Sequence, residues 1–186
     1  MKLIFLDTET TGLDFHKNGI IQISGIIDIN GEIKEEFDFR VRPFLGDFLS
    51  MDALKITGMT KEKLLEFPIA ENVYHQLVCI LDKYVDRYNK ADKFFMVGQN
   101  TKFDYDFLNE WFKKNGNEYF YAYIDYHIID LVTITAMLQL AGRISVPNMK
   151  LETVAKAFQM DFRAHDSLED IKVTRKIFYK YLGMIK

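Results

Sequence analysis

Asn30-Gly31 joins two extended runs, and this junction constrains the fold more than any other stretch of the chain. Residues 19–29 are rich in isoleucine, and residues 32–42 form the second run before Pro43. An Asn-Gly pair between such runs is the strongest short signal for a two-residue β-hairpin turn. Since residues 2–7 also have the character of a strand, we predict that the chain opens with three antiparallel strands.

The apolar spacing becomes helical after residue 50, apart from strand-like runs at residues 94–97 and 119–129. The main helices are predicted over residues 68–85, 103–114, 131–140, 149–158 and 167–182. Three antiparallel strands, followed by strands that alternate with helices, predict an α/β protein with a mixed central sheet flanked by helices. We expect one domain over residues 1–186.

Charge and apolar content restrict the class of protein. The formal net charge is −3, which argues against a protein that coats long polyanions but is compatible with an enzyme that grips a few nucleotides. No segment reaches 18 apolar residues, so no membrane span is expected. We expect the protein to be located in the cytoplasm. The single cysteine, Cys79, is predicted to be a buried small hydrophobe.

The first strand leads directly into Asp7-Thr8-Glu9. Side chains alternate along a strand, so both carboxylates should point to the same face. Two acids beside a buried strand repel each other and resist desolvation, and a divalent cation would offset that cost. A strand that simply ends in solvated polar residues fits this stretch equally well.

Two later segments add acids and a histidine. Asp104 opens a helix that follows the strand at residues 94–97, where α/β sheets place functional groups. Asn100 can cap that helix or contact a ligand, and Phe103 can pack in the core or stack on a base. His165 precedes the last helix and can act as an acid or base, while Asp170 lies in its first turns.

Several neighbouring polar residues have simpler interpretations. Asp106, two helical positions after Asp104, should face away from it into solvent. Asp130 is placed to cap the helix that follows it, and Asp166 or Ser167 can cap the last helix.

Taken in order, the segments LDTETTGL, NTKFDYDFL and HDSLED closely resemble the three motifs of the DnaQ-like exonucleases, in the subclass named DEDDh. The resemblance covers essentially the whole chain and implies an RNase H-like fold and metal-dependent 3′→5′ removal of nucleotides. It assigns the metal carboxylates to Asp7, Glu9, Asp104 and Asp170, and the general base to His165.

The same resemblance implies a pocket for the terminal nucleotide. Its members would be Thr10, Thr11, Leu13, Ile56, Thr57, Asn100 and Phe103. Gln99 and Thr57 stand where many relatives have histidine, which bears on substrate details rather than on catalysis. Four carboxylates without a cysteine ligand suit two Mg²⁺ or Mn²⁺ ions.

The expected substrate is the 3′ end of DNA, single-stranded or frayed, and proofreading would require a DNA polymerase subunit as partner. Three alternatives stay open. They are a 3′→5′ exoribonuclease of the same family, a catalytically decayed nucleic-acid-binding module, and a metal-dependent phosphatase acting on small molecules.

Overall fold

A five-stranded mixed sheet forms the centre of the molecule in the computed structural model, which describes residues 1–160 and 167–185. The strands are β1 (Lys2–Thr10), β2 (Ile20–Ile29), β3 (Glu32–Arg40), β4 (Phe95–Gly98) and β5 (Ile129–Asp130). They lie in the order β3-β2-β1-β4-β5. The first three are antiparallel, while β4 and β5 run parallel to β1. The predicted α/β class with a mixed sheet is therefore confirmed.

The helices of the described residues pack on both faces of this sheet. They are α1 (Met51–Thr57), α2 (Lys61–Glu66), α3 (Ala70–Asp82), α4 (Thr101–Lys114), α5 (Leu131–Leu140), α6 (Leu151–Ala157) and α7 (Ser167–Ile185). Ile4 and Leu6 of β1 lie in the core formed with α3 and α4. Leu3 and Phe5 point the other way, into the core formed with α5, α6 and α7. In none of the helices described is the apolar stretch long enough to cross a membrane.

The hairpin predicted at Asn30-Gly31 is present. Both residues have positive φ angles, 56° and 91°, as a type I′ turn requires. Asp28 accepts a hydrogen bond of 2.8 Å from the backbone N–H of Gly31 and so closes the turn.

Two of the sequence predictions are wrong. Residues 119–129 do not form a continuous strand, because a 3₁₀ helix spans Phe120–Ala122. Ile124 makes an isolated parallel bridge with Phe94, and the strand β5 comprises Ile129–Asp130 alone. Cys79 is exposed rather than buried. It lies in α3, whose buried side is formed by Val73, Leu77, Ile80 and Leu81. At 100° per residue, Cys79 falls on the opposite side of the helix.

Candidate active site

Asp7 and Glu9 lie near the C-terminal end of β1, where the alternation of the strand places them on the same face. Both are partly buried, while Thr8 between them is 7% exposed and points to the other face. A β-bulge separates Glu9 from Thr10 in the pairing with β2. Bulges of this kind are frequent beside active sites, where they re-aim side chains.

The start of α7 approaches the Asp7 side of the sheet. The Ser167 hydroxyl donates a hydrogen bond of 2.7 Å to Asp7 Oδ2, although the two residues are 160 positions apart in sequence. Asp170 lies three residues further on, so one turn of α7 carries both Ser167 and Asp170 towards the strand end. The sequence suggested only a capping role for Ser167, and its bond to Asp7 was missed.

Asp104 reaches β1 from α4, on the opposite face of the sheet. Its Oδ1 accepts hydrogen bonds from both the backbone N–H and the hydroxyl of Thr8, at 2.8 and 2.7 Å. The Asp104 side chain is almost fully buried, with the residue 4% exposed. Asp106 instead pairs with Lys102, and its side chain is 22% exposed, so it is less solvated than the sequence predicted. The structure thus brings Asp104 to the strand end that carries Asp7 and Glu9.

The electrostatics show that these acids share one region. Burial, followed by the negative charges of Asp7 and Asp170, raises the pKa of Glu9 from 4.5 to about 7. Burial also raises the pKa of Asp7, against the effect of the Ser167 hydrogen bond. Burial and the charge of Asp7 raise the pKa of Asp104 well above its ordinary value. The strand end therefore carries more negative charge than the protein alone stabilises.

A polar row crosses the sheet beside Glu9. Glu9 pairs with Gln22 on β2, and Gln22 pairs with Arg40 on β3. Arg40 donates a hydrogen bond of 2.6 Å to Gln22, and its positive charge opposes the rise in the Glu9 pKa. No signal in the sequence marks Gln22 or Arg40 as residues of the site.

Glu9, Gln22 and Arg40 line a cavity of about 210 Å³. Its lining includes Glu9, Ser167, Arg40, Ile56 and Thr57. Two of the predicted substrate-binding residues, Ile56 and Thr57, therefore lie beside a predicted metal ligand. Ile56 is 73% exposed, which leaves its side chain available to a ligand.

Thr10, which ends β1, and Thr11, which follows it, have structural partners within the protein. The Thr11 hydroxyl donates to the Phe48 carbonyl and accepts from the Gly19 N–H, at 2.8 and 2.9 Å. The Thr10 hydroxyl donates to the Gly12 carbonyl at 2.7 Å. Any contact of this loop with a substrate would involve backbone groups or Leu13, whose side chain is 86% exposed.

Asn100 and Phe103 stand at the beginning of α4. Asn100 has a φ of 60° and its side chain forms no capping hydrogen bond, so of the two roles that the sequence leaves open, contact with a ligand is the one that stays a prediction. Its N–H instead donates to Asp130, which also caps α5, as predicted. Phe103 is half-buried against Phe107, with 4.7 Å between ring centroids. Part of the Phe103 ring surface is therefore buried by packing in the core.

The predicted general base, His165, lies outside the described residues, as does Asp166. The assignment of His165 remains a prediction from the motif.

The four carboxylates fit a divalent cation by their chemistry. They supply only oxygen donors, which suits Mg²⁺ or Mn²⁺, and burial with mutual repulsion raises the pKa of Asp7, Glu9 and Asp104. Among residues 1–160 and 167–185, no three such side chains are already gathered around one point as metal ligands. Asp7 and Asp104 are instead oriented by their hydrogen bonds to Ser167 and Thr8.

The raised pKa of Glu9 predicts how the stability of the metal-free protein depends on pH. Between about pH 4.5 and 7 the folded state holds a proton on Glu9 that the unfolded state has lost, so the free energy of unfolding falls as pH rises through this window. We expect Glu9→Gln, measured by urea unfolding in EDTA, to be more stable than wild type by about 1–3 kcal/mol at about pH 8 and similar to it at about pH 4.

The matched control is Glu152→Gln, which removes an exposed acid paired with Lys156. It should leave the pH dependence of unfolding unchanged. If the free energies of unfolding of wild type and Glu9→Gln fall in parallel from about pH 4 to 8, the pKa of Glu9 is not raised in the folded state.

A protein-family model described as exonuclease, RNase T, matches residues 4–178. The chain is 29% identical over 185 residues to a PolC-type DNA polymerase III of Thermotoga maritima, and the match covers 98% of this chain but 12% of that protein. It is 26% identical over 183 residues to a DNA polymerase III subunit epsilon of Aquifex aeolicus, covering 96% and 79% of the two chains.

A similar fold occurs in a zinc-bound complex of E. coli exonuclease I with single-stranded DNA. The TM-score is 0.81 with 18% sequence identity, over 100% of this chain and 41% of that one. This likeness concerns the fold, and it agrees with the predicted RNase H-like architecture.

Proposed function

Because the chain belongs to the RNase T exonuclease family, we propose that it hydrolyses DNA from the 3′ end, one nucleotide at a time, with single-stranded or frayed ends as substrates. The observation that carries this proposal is the convergence of Asp7, Glu9, Asp104 and Asp170 from three elements onto one strand end. The family match also confirms the resemblance seen in the three motifs.

The carboxylates would hold two divalent cations, Mg²⁺ or Mn²⁺. Asp7, Glu9, Asp104 and Asp170 would be the residues that hold them. Bound cations at such a site supply charge stabilisation for the phosphodiester and activation of a water molecule. Ser167 and Thr8 would fix the orientation of Asp7 and Asp104, and His165 would accept the proton of the attacking water.

The terminal nucleotide would lie beside the cavity at Glu9. Ile56 and Leu13 offer exposed apolar side chains against which a base and sugar can pack. Thr57, Asn100 and Phe103 would complete this pocket, as the motif resemblance implies.

The relatives support a role beside a DNA polymerase. This chain spans about one eighth of the length of the PolC-type polymerases that it matches, and the Aquifex relative is named as a polymerase subunit. We therefore propose that proofreading or repair of DNA, in association with a polymerase, is the setting in which the activity is used.

The test is a gel analysis of single- and double-stranded DNA and matched RNA, labelled at either end, with Mg²⁺, Mn²⁺ or EDTA. A 5′-labelled DNA strand should shorten progressively, and a 3′-labelled strand should release a labelled mononucleotide at once. Release from the 5′ end first, or turnover of RNA alone, would contradict the proposal. Binding without cleavage in either metal would indicate a decayed site.

A further inference from the structure

A second region of the surface combines tyrosines with cations, far from the carboxylates. It is a groove of about 470 Å³ between the segment after α3 and the segment after α4. We call it the tyrosine groove and define it by Arg87, Tyr88, Lys90, Lys93, Tyr119 and Tyr121. Of the described residues that line it, three are cations and none is a carboxylate, in a chain whose net charge is −3.

The tyrosine rings are unusually open to solvent. Tyr88, Tyr119 and Tyr121 are 83%, 63% and 50% exposed. Large exposed aromatic rings that lie next to one another are typical of binding surfaces rather than of a solvated exterior. Each ring offers a face on which a planar group can stack.

Two of the three cations of the groove are held next to these rings. The Arg87 guanidinium donates to the hydroxyls of Tyr88 and Tyr123, both at 3.3 Å, and its centre lies 5.2 Å from the Tyr88 ring centroid. Lys93 Nζ lies 5.7 Å from the Tyr121 ring centroid. Positive charge beside open aromatic faces is the combination that binds phosphates and bases of an unpaired strand.

The groove is at the opposite end of the sheet from the candidate active site. Lys93 precedes β4, and Phe95 at the start of β4 pairs with Leu3 of β1. Asp7 lies four residues further along β1, which at the rise of a strand is about 13 Å. A ligand in the groove therefore cannot be the nucleotide bound at the carboxylates.

We propose that the tyrosine groove is a second binding site for single-stranded nucleic acid, which holds a part of the strand away from the end being hydrolysed. Tyr88, Tyr119 and Tyr121 stack on bases, while Lys90, Lys93 and Arg87 contact phosphates. The inference takes from the proposed function only that the ligand is nucleic acid. The site adds affinity for long strands and leaves the chemistry at the carboxylates unchanged.

The experiment measures fluorescence anisotropy of labelled oligothymidylates of about four and about twenty nucleotides, in EDTA so that no strand is hydrolysed. Tyr119→Ala/Tyr121→Ala should weaken binding of the long strand at least about five-fold, which corresponds to about 1 kcal/mol. Tyr119→Phe/Tyr121→Phe keeps the rings and should restore it. Lys90→Ser should lower the slope of log affinity against log salt by about 0.7.

Two matched controls lie outside the groove. Tyr126→Ala removes another tyrosine that is 69% exposed, and Lys156→Ser removes another exposed lysine. Both should bind the long strand as wild type does. Equal weakening by groove and control variants, or an unchanged affinity in Tyr119→Ala/Tyr121→Ala, would overturn the proposal.

Hydrolysis of the short strand in Mg²⁺ separates this inference from the proposed function. The groove variants should cleave it at the wild-type rate. A protein that binds long strands through the groove but cleaves nothing would contradict the proposed function alone. A protein that cleaves normally while its groove variants bind normally would contradict the second site alone.

Discussion

Asp7→Asn is expected to reduce the rate of nucleotide release at least about 10³-fold, a loss of about 4 kcal/mol of transition-state stabilisation. Asp7 is the carboxylate whose charge raises the pKa of both Glu9 and Asp104, so its charge is central to the proposed site. Replacing it removes the charge that a pair of cations would share. The measurement is single-turnover cleavage of 5′-labelled DNA over a titration of Mg²⁺ and Mn²⁺.

The loss should not come from unfolding. Asparagine can still accept the hydrogen bond from Ser167, and it removes a charge whose burial is unfavourable. Urea unfolding in EDTA should therefore show Asp7→Asn to be at least as stable as wild type. Asp106→Asn is the matched control, because Asp106 pairs with Lys102 at the surface, and it should retain activity within about two-fold. Full activity of Asp7→Asn at saturating metal would refute the assignment.

The first part of the fold could be predicted because its signals are local. Asn30-Gly31 adopts the positive φ angles that the residue types favour, and the strands on either side follow from their β-branched composition. The alternation of a strand likewise placed Asp7 and Glu9 together without knowledge of the tertiary structure. Asp104 and Asp170 required the three motifs, since neither segment alone distinguishes a metal ligand from a solvated acid.

The position of Arg40 in the row beside Glu9 could not be predicted, because it depends on a bulge in the pairing of β2 with β3. If residues are counted outwards from the Ile29–Glu32 pair, Gln22 would lie opposite Phe39. A register shift between Ile27 and Asp28 moves the partner of Gln22 to Arg40. One residue of slip exchanges the two faces of a strand, so the bulge brings a cation rather than an aromatic ring into the row beside Glu9.

The segment at residues 119–129 shows how tertiary packing overrides composition. Its aromatic and β-branched residues favour a strand. Phe120, Tyr123 and Ile124 are the buried residues, a spacing of three and four that suits a helical turn and not an alternating strand. The core next to α4, where Phe120 contacts Phe112, decides the conformation.

Asp28→Ala is expected to lower the free energy of unfolding by about 3–5 kcal/mol, which is about 10 °C in melting temperature for a chain of this length. Asp28 is fully buried at the end of β2. Its Oδ2 accepts from Arg175 Nε at 2.7 Å and from the Tyr179 hydroxyl at 2.9 Å. Burial, followed by the hydrogen bond to Asp28, raises the pKa of Tyr179 to about 12, so Tyr179 remains a donor at every relevant pH.

The Asp28 carboxylate connects the hairpin to α7 through its hydrogen bonds to Arg175 and Tyr179. The same helix carries Ser167 and Asp170. Removing it leaves the Arg175 guanidinium, whose side chain is 19% exposed, without its counter-charge. Arg175 also donates to the Gly31 carbonyl at 2.7 Å, so the turn and the helix should loosen together. Thermal and urea unfolding would measure the loss.

Glu32→Ala provides the matched comparison in the same hairpin. Glu32 is exposed and pairs with Lys34, so its removal should cost less than about 0.5 kcal/mol. Asp28→Leu combined with Arg175→Leu should recover much of the stability lost in Asp28→Ala, because the main cost is an uncompensated buried charge rather than a lost attraction. If the double variant is instead destabilised by the sum of the single effects, the two side chains stabilise the fold independently, and the ion pair is not what fastens α7 to the sheet.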